Sequence, residues 1–265
     1  MIPNGRIAIA FHTLFVAFML APLVVVVWVS FTPASILTLP TTEFSLRWFW
    51  AILDDRQFTS AFGRSLWLGL MAASLAVLLA IPAAVAMHRY RFPGRGALVG
   101  FFLSPLVIPH VVLGVAFLRF FSQAGLSGSF YAVAGAHVLV IFPYALRLVL
   151  ASMASMNPML ERAAYSLGAT RYDVVRRIML PAVLPGIAGG WIISFIQSFD
   201  EVTMTVFIAS PSQTTLPVRM YHYIEESIDP LVASVSTVVI VGTFLLMLVI
   251  DRIYGIDRLL VGEGH

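Results

Sequence analysis

The chain has 265 residues, of which 60% are hydrophobic and 11% charged, and its mean hydropathy is +0.93. A soluble domain carries about 25% charged residues, so there is too little polar surface here to cover the apolar mass, and a water-soluble fold is excluded. All 16 basic residues are arginine, the net charge is +3 and Cys is absent. The missing thiols exclude disulfides, thiolate metal sites and Cys nucleophiles, and in so apolar a chain the basic excess reports loop orientation, with no nucleic acid implied.

A helix needs about 20 mostly apolar residues to cross the hydrocarbon layer, and six segments qualify. The first, 7–31, has no Asp, Glu or Arg and exceeds the roughly 7–15 apolar residues of a signal-peptide core, so it is expected to be a retained span. The long connection 32–64 follows, in which 46–53 is expected to form a short interfacial helix. The second span, 65–87, and the third, 97–118, carry no Asp, Glu or Arg and are joined by the short connector 88–96. The fourth, 130–153, is free of charge until Arg147. The fifth, about 182–208, is interrupted by Asp200 and Glu201, and the sixth is 231–250.

Strands of an outer-membrane barrel would alternate over segments of about ten residues. The expected fold is therefore all-α: a polytopic membrane protein with six transmembrane helices and one domain over 1–265. Pro22, Pro82, Pro105, Pro109 and Pro143 each remove a backbone hydrogen bond and are expected to kink their spans.

Orientation follows from arginine. With the N-terminus inside, the inner stretches hold Arg6, Arg89, Arg91, Arg95, Arg162, Arg171, Arg176, Arg177, Arg252 and Arg258, with Arg147 nearby. The opposite side holds Arg47, Arg56, Arg64 and Arg219, with Arg119 nearby. Eleven against five places both termini in the cytoplasm. No Gly-x-x-x-x-Gly-Lys-Ser/Thr motif occurs, so this chain cannot itself cradle a nucleotide phosphate in a P-loop, and its energy must come from an ion gradient or a partner.

The one long cytoplasmic connection, 157–181, reads as two short helices with a sharp joint. Asn157 is a good N-cap and Pro158 fits the first helical position. Leu160, Ala163, Ala164 and Leu167 recur at helical spacing and form a small apolar face. Gly168 suits a left-handed stop, Thr170 and Asp173 have capping-box spacing, and Pro181 is expected to end this helix as the fifth span begins. Two readings fit: insertion into a groove on another protein, or an amphipathic helix lying on lipid headgroups beside its arginines.

In the fifth span, at about 100° per residue, Ser194, Gln197, Ser198, Asp200, Glu201 and Thr205 occupy half of the helix circumference. Phe195, Phe199, Val202 and Val206 take the other half. Intramembrane carboxylates face a cavity or a partner. The stripe is therefore either a wall of a translocation pathway that attracts a cationic solute, or a packing contact to Arg119 or Arg147. His110 and His137, in the third and fourth spans, have no companions at metal-ligand spacing and are expected to bond neighbouring backbone.

The run Glu161-Arg162-Ala163-Ala164-Tyr165-Ser166-Leu167-Gly168, then nine residues, then Ile178-Met179-Leu180-Pro181 is similar to the EAA loop of binding-protein-dependent ABC importer permeases. Arg162 occupies the position of the family's Glu, and Glu161 stands one place earlier. The resemblance implies a type I permease fold and a coupling helix that docks in a cleft of an ATPase subunit. It assigns that coupling to Glu161, Ala163, Ala164, Gly168, Ile178, Leu180 and Pro181.

It further implies a multi-pass protein of the bacterial inner membrane with no catalytic residues and no cofactor of its own. ATP and Mg would be bound by two partner ATPase subunits. The remaining partners would be a second, different permease, a periplasmic binding protein and membrane lipid.

Ser198-Phe199-Asp200-Glu201-Val202, Ser210-Pro211, the run Thr215-Leu216-Pro217-Val218-Arg219-Met220-Tyr221 and Arg89-Tyr90-Arg91-Phe92 resemble the second permease of spermidine/putrescine-type importers. That likeness implies a small cationic solute such as a polyamine, with other small amines, aminophosphonates or opine-like compounds as alternatives. The pathway would then use Asp200, Glu201, Gln197, Ser194 and Ser198. An ion-coupled secondary transporter is disfavoured by the absence of an evident internal repeat, and an intramembrane serine protease by the absence of a nucleophile motif with a matched base.

Overall fold

Inside hydrocarbon a backbone N–H or C=O has no water to turn to, so a spanning segment satisfies its polar groups within itself by coiling into a helix. The computed structural model describes residues 5–37 and 43–254, and among the described residues there are helices and no strand. In chain order these are α1 (Arg6–Val29), α2 (Arg47–Asp54), α3 (Arg56–Arg89), α4 (Arg95–Leu103), α5 (His110–Gln123), α6 (Phe130–Ser155), α7 (Pro158–Ser166), α8 (Arg171–Val174), α9 (Leu180–Phe199), α10 (Thr205–Ile208), α11 (Leu216–Glu226) and α12 (Leu231–Tyr254). Both chain ends, and Arg258 with them, lie outside the described residues.

Four helical runs of the described chain are long and apolar enough to cross a membrane: α1, α3, α6 and the run Arg171–Phe199. Apolar α12 begins where the sixth span was placed. The third expected span departs from expectation. It is broken, with α4 and a single 3₁₀ turn, Ser104–Leu106, meeting α5 at 96°. Pro105 stands in that turn and Pro109 is the N-cap of α5. Two prolines four residues apart each remove a donor and crowd the preceding turn, so the chain turns a corner there. Pro22, Pro82 and Pro143 are carried inside unbroken helices.

The fifth span is also displaced. Helix continues without a stop from Arg171 through a π-helical turn, Val175–Met179, into α9. A proline ring clashes with the carbonyl four residues back, and the wider turn ahead of Pro181 makes room for it. Pro181 therefore begins α9 without ending the run. At the other end α9 stops at Phe199, well short of residue 208.

The described chain packs as two units, the first comprising the chain up to Ser60 together with Arg219–Val249. In this unit Ser234 Oγ donates to the Ser30 carbonyl at 3.0 Å, tying α12 to the end of α1, and Trp48 of α2 donates to the Ala34 carbonyl at 3.1 Å. The Arg219 guanidinium lies over the rings of Phe58 and Tyr223, at 5.3 and 5.4 Å. Tyr223 donates to Asp229 Oδ2 at 2.7 Å, and burial, followed by that bond to the Asp229 carboxylate, pushes the phenol up to about 12.

The second unit, built on Ala61–Val218, holds the densest packing. Ala72, Ala76, Ala80 and Ala84 recur every fourth residue along α3 and are fully buried with Leu146, Val149 and Met153 of α6 and Met179 and Val183 of the fifth helical run. Lipid tails are as apolar as any side chain, so helices in a membrane associate by close fit. Here the closest fit is between α6 and α9. A Cβ on Gly186 would lie 2.8 Å from the Leu148 carbonyl oxygen, and one on Gly190 would lie 3.3 Å from Ala145 Cα.

Gly186→Ala is therefore expected to destabilise the protein by about 1–3 kcal/mol, the usual cost of overpacking. Gly189→Ala, whose Cβ would meet only Leu148 Cδ1 at 4.0 Å, is expected to be neutral. Thermal unfolding of the purified variants in detergent checks the pair, and equal melting temperatures would contradict this packing.

Candidate functional site

The loop between α6 and α9 is shaped by its own caps. Asn157 Oδ1 accepts from the Met159 amide at 2.9 Å and starts α7. Gly168 has φ +85°, a left-handed conformation that costs an L side chain strain, and the Ala169 amide closes back on the Ala164 carbonyl at 3.0 Å. Thr170 and Asp173 form a reciprocal capping box that restarts the chain as α8. Ala164 turns inward, Ile178 and Leu180 are half-buried, and Ala163 and Pro181 are exposed. Met159, Leu160, Leu167 and Tyr172 also stand exposed, Leu167 at 88%. Apolar side chains offered to solvent on a short, capped helix form a patch of the kind that meets a protein or a membrane surface.

Glu161 is placed differently. Its carboxylate pairs with the Arg89 guanidinium at the end of α3 and is largely covered.

The carboxylates lie at the other end of α9. Because α9 stops at Phe199, Asp200 is its C-cap residue and Glu201 begins a non-helical turn leading to α10. The expected polar stripe therefore divides. Ser194 and Ser198 point into the packed interior and Glu201 is 8% exposed, whereas Gln197 and Asp200 are exposed. Ser194 Oγ is buried with no hydrogen-bond partner among the described residues.

The partner of Glu201 is neither Arg119 nor Arg147. His110 Nδ1, on the first residue of α5, meets Glu201 Oε2 at 2.6 Å, and Glu201 Oε1 accepts from the Met204 amide at 2.6 Å. His137 meets side chains of the neighbouring segment, Ser198 Oγ through Nδ1 at 2.8 Å and Thr205 Oγ1 through Nε2 at 3.0 Å.

The corner in the third span makes this possible, since it puts the N-terminus of α5, and with it His110, against the carboxylate turn. Gly114 then lets α5 lie close on that turn: a Cβ there would come 3.2 Å from Met204 Cα. The two histidines clamp the turn from α5 and α6. Asp200 is left with no cation within ion-pair distance among the described residues. On the other side of α9 the rings of Trp191, Phe195 and Phe199 follow one another at 5.6 and 5.9 Å.

The pairing of His110 with Glu201 was not legible in the sequence, because 91 residues separate the two. The only hint was a lone histidine directly after Pro109. Among the described residues no three His, Asp or Glu side chains gather as a metal ion would require.

Over residues 76–256 the chain matches the family described as binding-protein-dependent transport system inner membrane component. It is 26% identical over 248 residues to the spermidine/putrescine transport system permease protein PotC of Escherichia coli K12, covering 94% of this chain and 93% of the relative. It is 30% identical over 255 residues to the putative 2-aminoethylphosphonate transport system permease protein PhnV of Salmonella paratyphi A, covering 95% and 96% respectively. Among solved structures, a bacterial ABC transporter involved in the import of the acidic polysaccharide alginate matches with a TM-score of 0.75 over 94% of this chain and 96% of that chain, at 14% identity. That likeness shows the fold alone.

Removing the Glu201 side chain leaves both the Met204 amide and His110 unpaired, at about 1–3 kcal/mol for a buried donor that loses its partner. Glu201→Ala is therefore expected to lower the melting temperature clearly more than Glu201→Gln, which keeps an oxygen for the amide. Differential scanning of the purified protein decides this, and equal losses would contradict the two-sided role of the carboxylate.

Proposed function

The chain belongs to the family of binding-protein-dependent transport system inner membrane components, and we propose that it forms half of the translocation pathway of an ATP-binding-cassette importer for a small cationic solute of the polyamine class. A periplasmic binding protein delivers the solute, a second and different permease supplies the other half of the pathway, and two ATPase subunits bind ATP and Mg. This chain contributes no catalytic residue and no cofactor. Both of its termini lie in the cytoplasm, and six spans anchor it in the inner membrane.

The observation that carries the solute reading is the division of labour between two adjacent carboxylates. Glu201 is engaged by His110 and the Met204 amide, while Asp200 is exposed beside Gln197. A carboxylate held at the end of a spanning helix without a cation beside it is suited to receive an ammonium group. The turn that presents it is fixed by Glu201, Ser198 and His137, so the group is positioned before the solute arrives. The PotC relative supports a polyamine. The PhnV relative supports a second reading, an aminophosphonate, whose amine would meet Asp200 in the same way.

The exposed apolar side chains of α7 support docking to the ATPase, with Gly168, Ala163 and Ala164 setting the shape of the joint. Closure of the ATPase dimer would then move α7 and bias the permease between inward-open and outward-open states.

Two measurements test these readings. In the reconstituted transporter with its binding protein, Asp200→Asn is expected to reduce polyamine uptake about tenfold, the loss of about 1.4 kcal/mol, with the complex still assembled. Equal uptake by wild type and variant would remove Asp200 from the pathway, and no uptake of any polyamine by the wild type would redirect the assignment to the aminophosphonate. Leu167→Asp is expected to abolish co-purification of the ATPase, and an intact complex would refute docking at α7.

A further inference from the structure

Glu161 stands one residue before the position its counterpart holds in related loops, and its surroundings show what that offset accomplishes. Arg89, the last residue of α3, uses one guanidinium nitrogen to bond both the Glu161 carboxylate and the Tyr165 hydroxyl, the latter at 3.3 Å. Glu161 and Tyr165 are one helical turn apart on α7, so a single cation grips a full turn of that helix. The Arg89 and Glu161 side chains are only 19% and 18% exposed. Fully exposed ion pairs contribute little to stability, whereas a part-buried pair that also engages a tyrosine hydroxyl holds its groups in one geometry.

The remaining attachment of α7 is slight. Ala164 is its only buried residue, while Met159, Leu160 and Leu167 face outward. The chain joins α7 directly to α6 and, through α8, to α9. No such covalent continuity joins it to α3, whose buried alanine face packs against the same two helices.

We infer that Glu161, Arg89 and Tyr165 form a latch that binds the coupling helix to the end of α3, so that α3 travels with α7 and does not slip past it. Glu161 is on this account a positioning residue whose partner lies within its own chain; it makes no contact with the ATPase. The inference rests on the docking reading of α7, because a latch transmits force only if force arrives there.

The chain has no native Cys, which allows a direct test. His88→Cys and Ser166→Cys, both at exposed positions, place spin labels on the two sides of the latch in the full transporter, and double electron–electron resonance gives the distance between them. With Arg89 and Glu161 intact, one narrow distribution is expected that is the same without nucleotide and after trapping with ATP and vanadate. In Glu161→Gln and in Arg89→Gln the distribution should broaden and shift on trapping, with the ATPase still co-purifying and its stimulation by the loaded binding protein reduced several-fold. The charge exchange Arg89→Glu with Glu161→Arg should restore the narrow distribution.

An unchanged distribution in Glu161→Gln would overturn the latch. Loss of the ATPase from that variant would also overturn it, by making Glu161 a docking contact. If Leu167→Asp leaves the ATPase bound, the docking reading itself fails, and that outcome is distinct from either result at Glu161.

Discussion

The crossing of α6 and α9 is the contact on which the rest of the second unit depends. In lipid no water drives two helices together, so they must fit closely, and Gly186 and Gly190 provide the fit by presenting backbone to Ala145 and Leu148. These two helices also join the capped loop to the carboxylate turn. The loop that carries α7 and α8 runs from the end of α6 to the start of α9, and His137 of α6 holds Ser198 near the carboxylate turn. The loop is thereby anchored at both ends to a pair of helices that cannot separate without opening a void.

Some of the buried polar groups of the second unit hold the chain where it leaves helix. Glu201 closes the turn after α9 by accepting from the Met204 amide, and His110 covers its other oxygen. Thr205, at the start of α10, is met by the far nitrogen of His137. Irregular backbone at membrane depth is tolerated only where protein or a water-filled cavity satisfies it; here Glu201 itself meets the Met204 amide, while His110 and His137 hold the side chains of Glu201, Ser198 and Thr205. Asp200 is the group this arrangement leaves over. Its exposure follows from helix termination at Phe199 together with the inward commitment of its neighbour, and it needs no special property of its own.

The loop was legible residue by residue because caps are local. Asn157 reaches an amide two residues away, Thr170 and Asp173 serve each other, and Gly168 is read by its own backbone. The polar stripe was misread for the opposite reason. A helical wheel assumes that the helix continues, and neither Gly nor Pro stands at 199–201 to announce an end. The end is imposed by His110 and His137, which lie 91 and 61 residues away from their partners. Pro181 misled in reverse: a residue that usually ends a helix was absorbed by a π turn that no local pattern signals.

The amino-acid sequence alone determined that the protein is helical and lives in a membrane, because its apolar segments are too long and too poor in charge for any other solvent. It also determined the joint in the loop between α6 and α9 and the family likeness, which are properties of short contiguous runs. Only the tertiary structure decided that the third span turns a corner, that Glu201 is committed and Asp200 is not, and that Glu161 looks inward to Arg89. Each of those outcomes depends on which residues distant along the chain come within hydrogen-bond reach, and local periodicity carries no record of that.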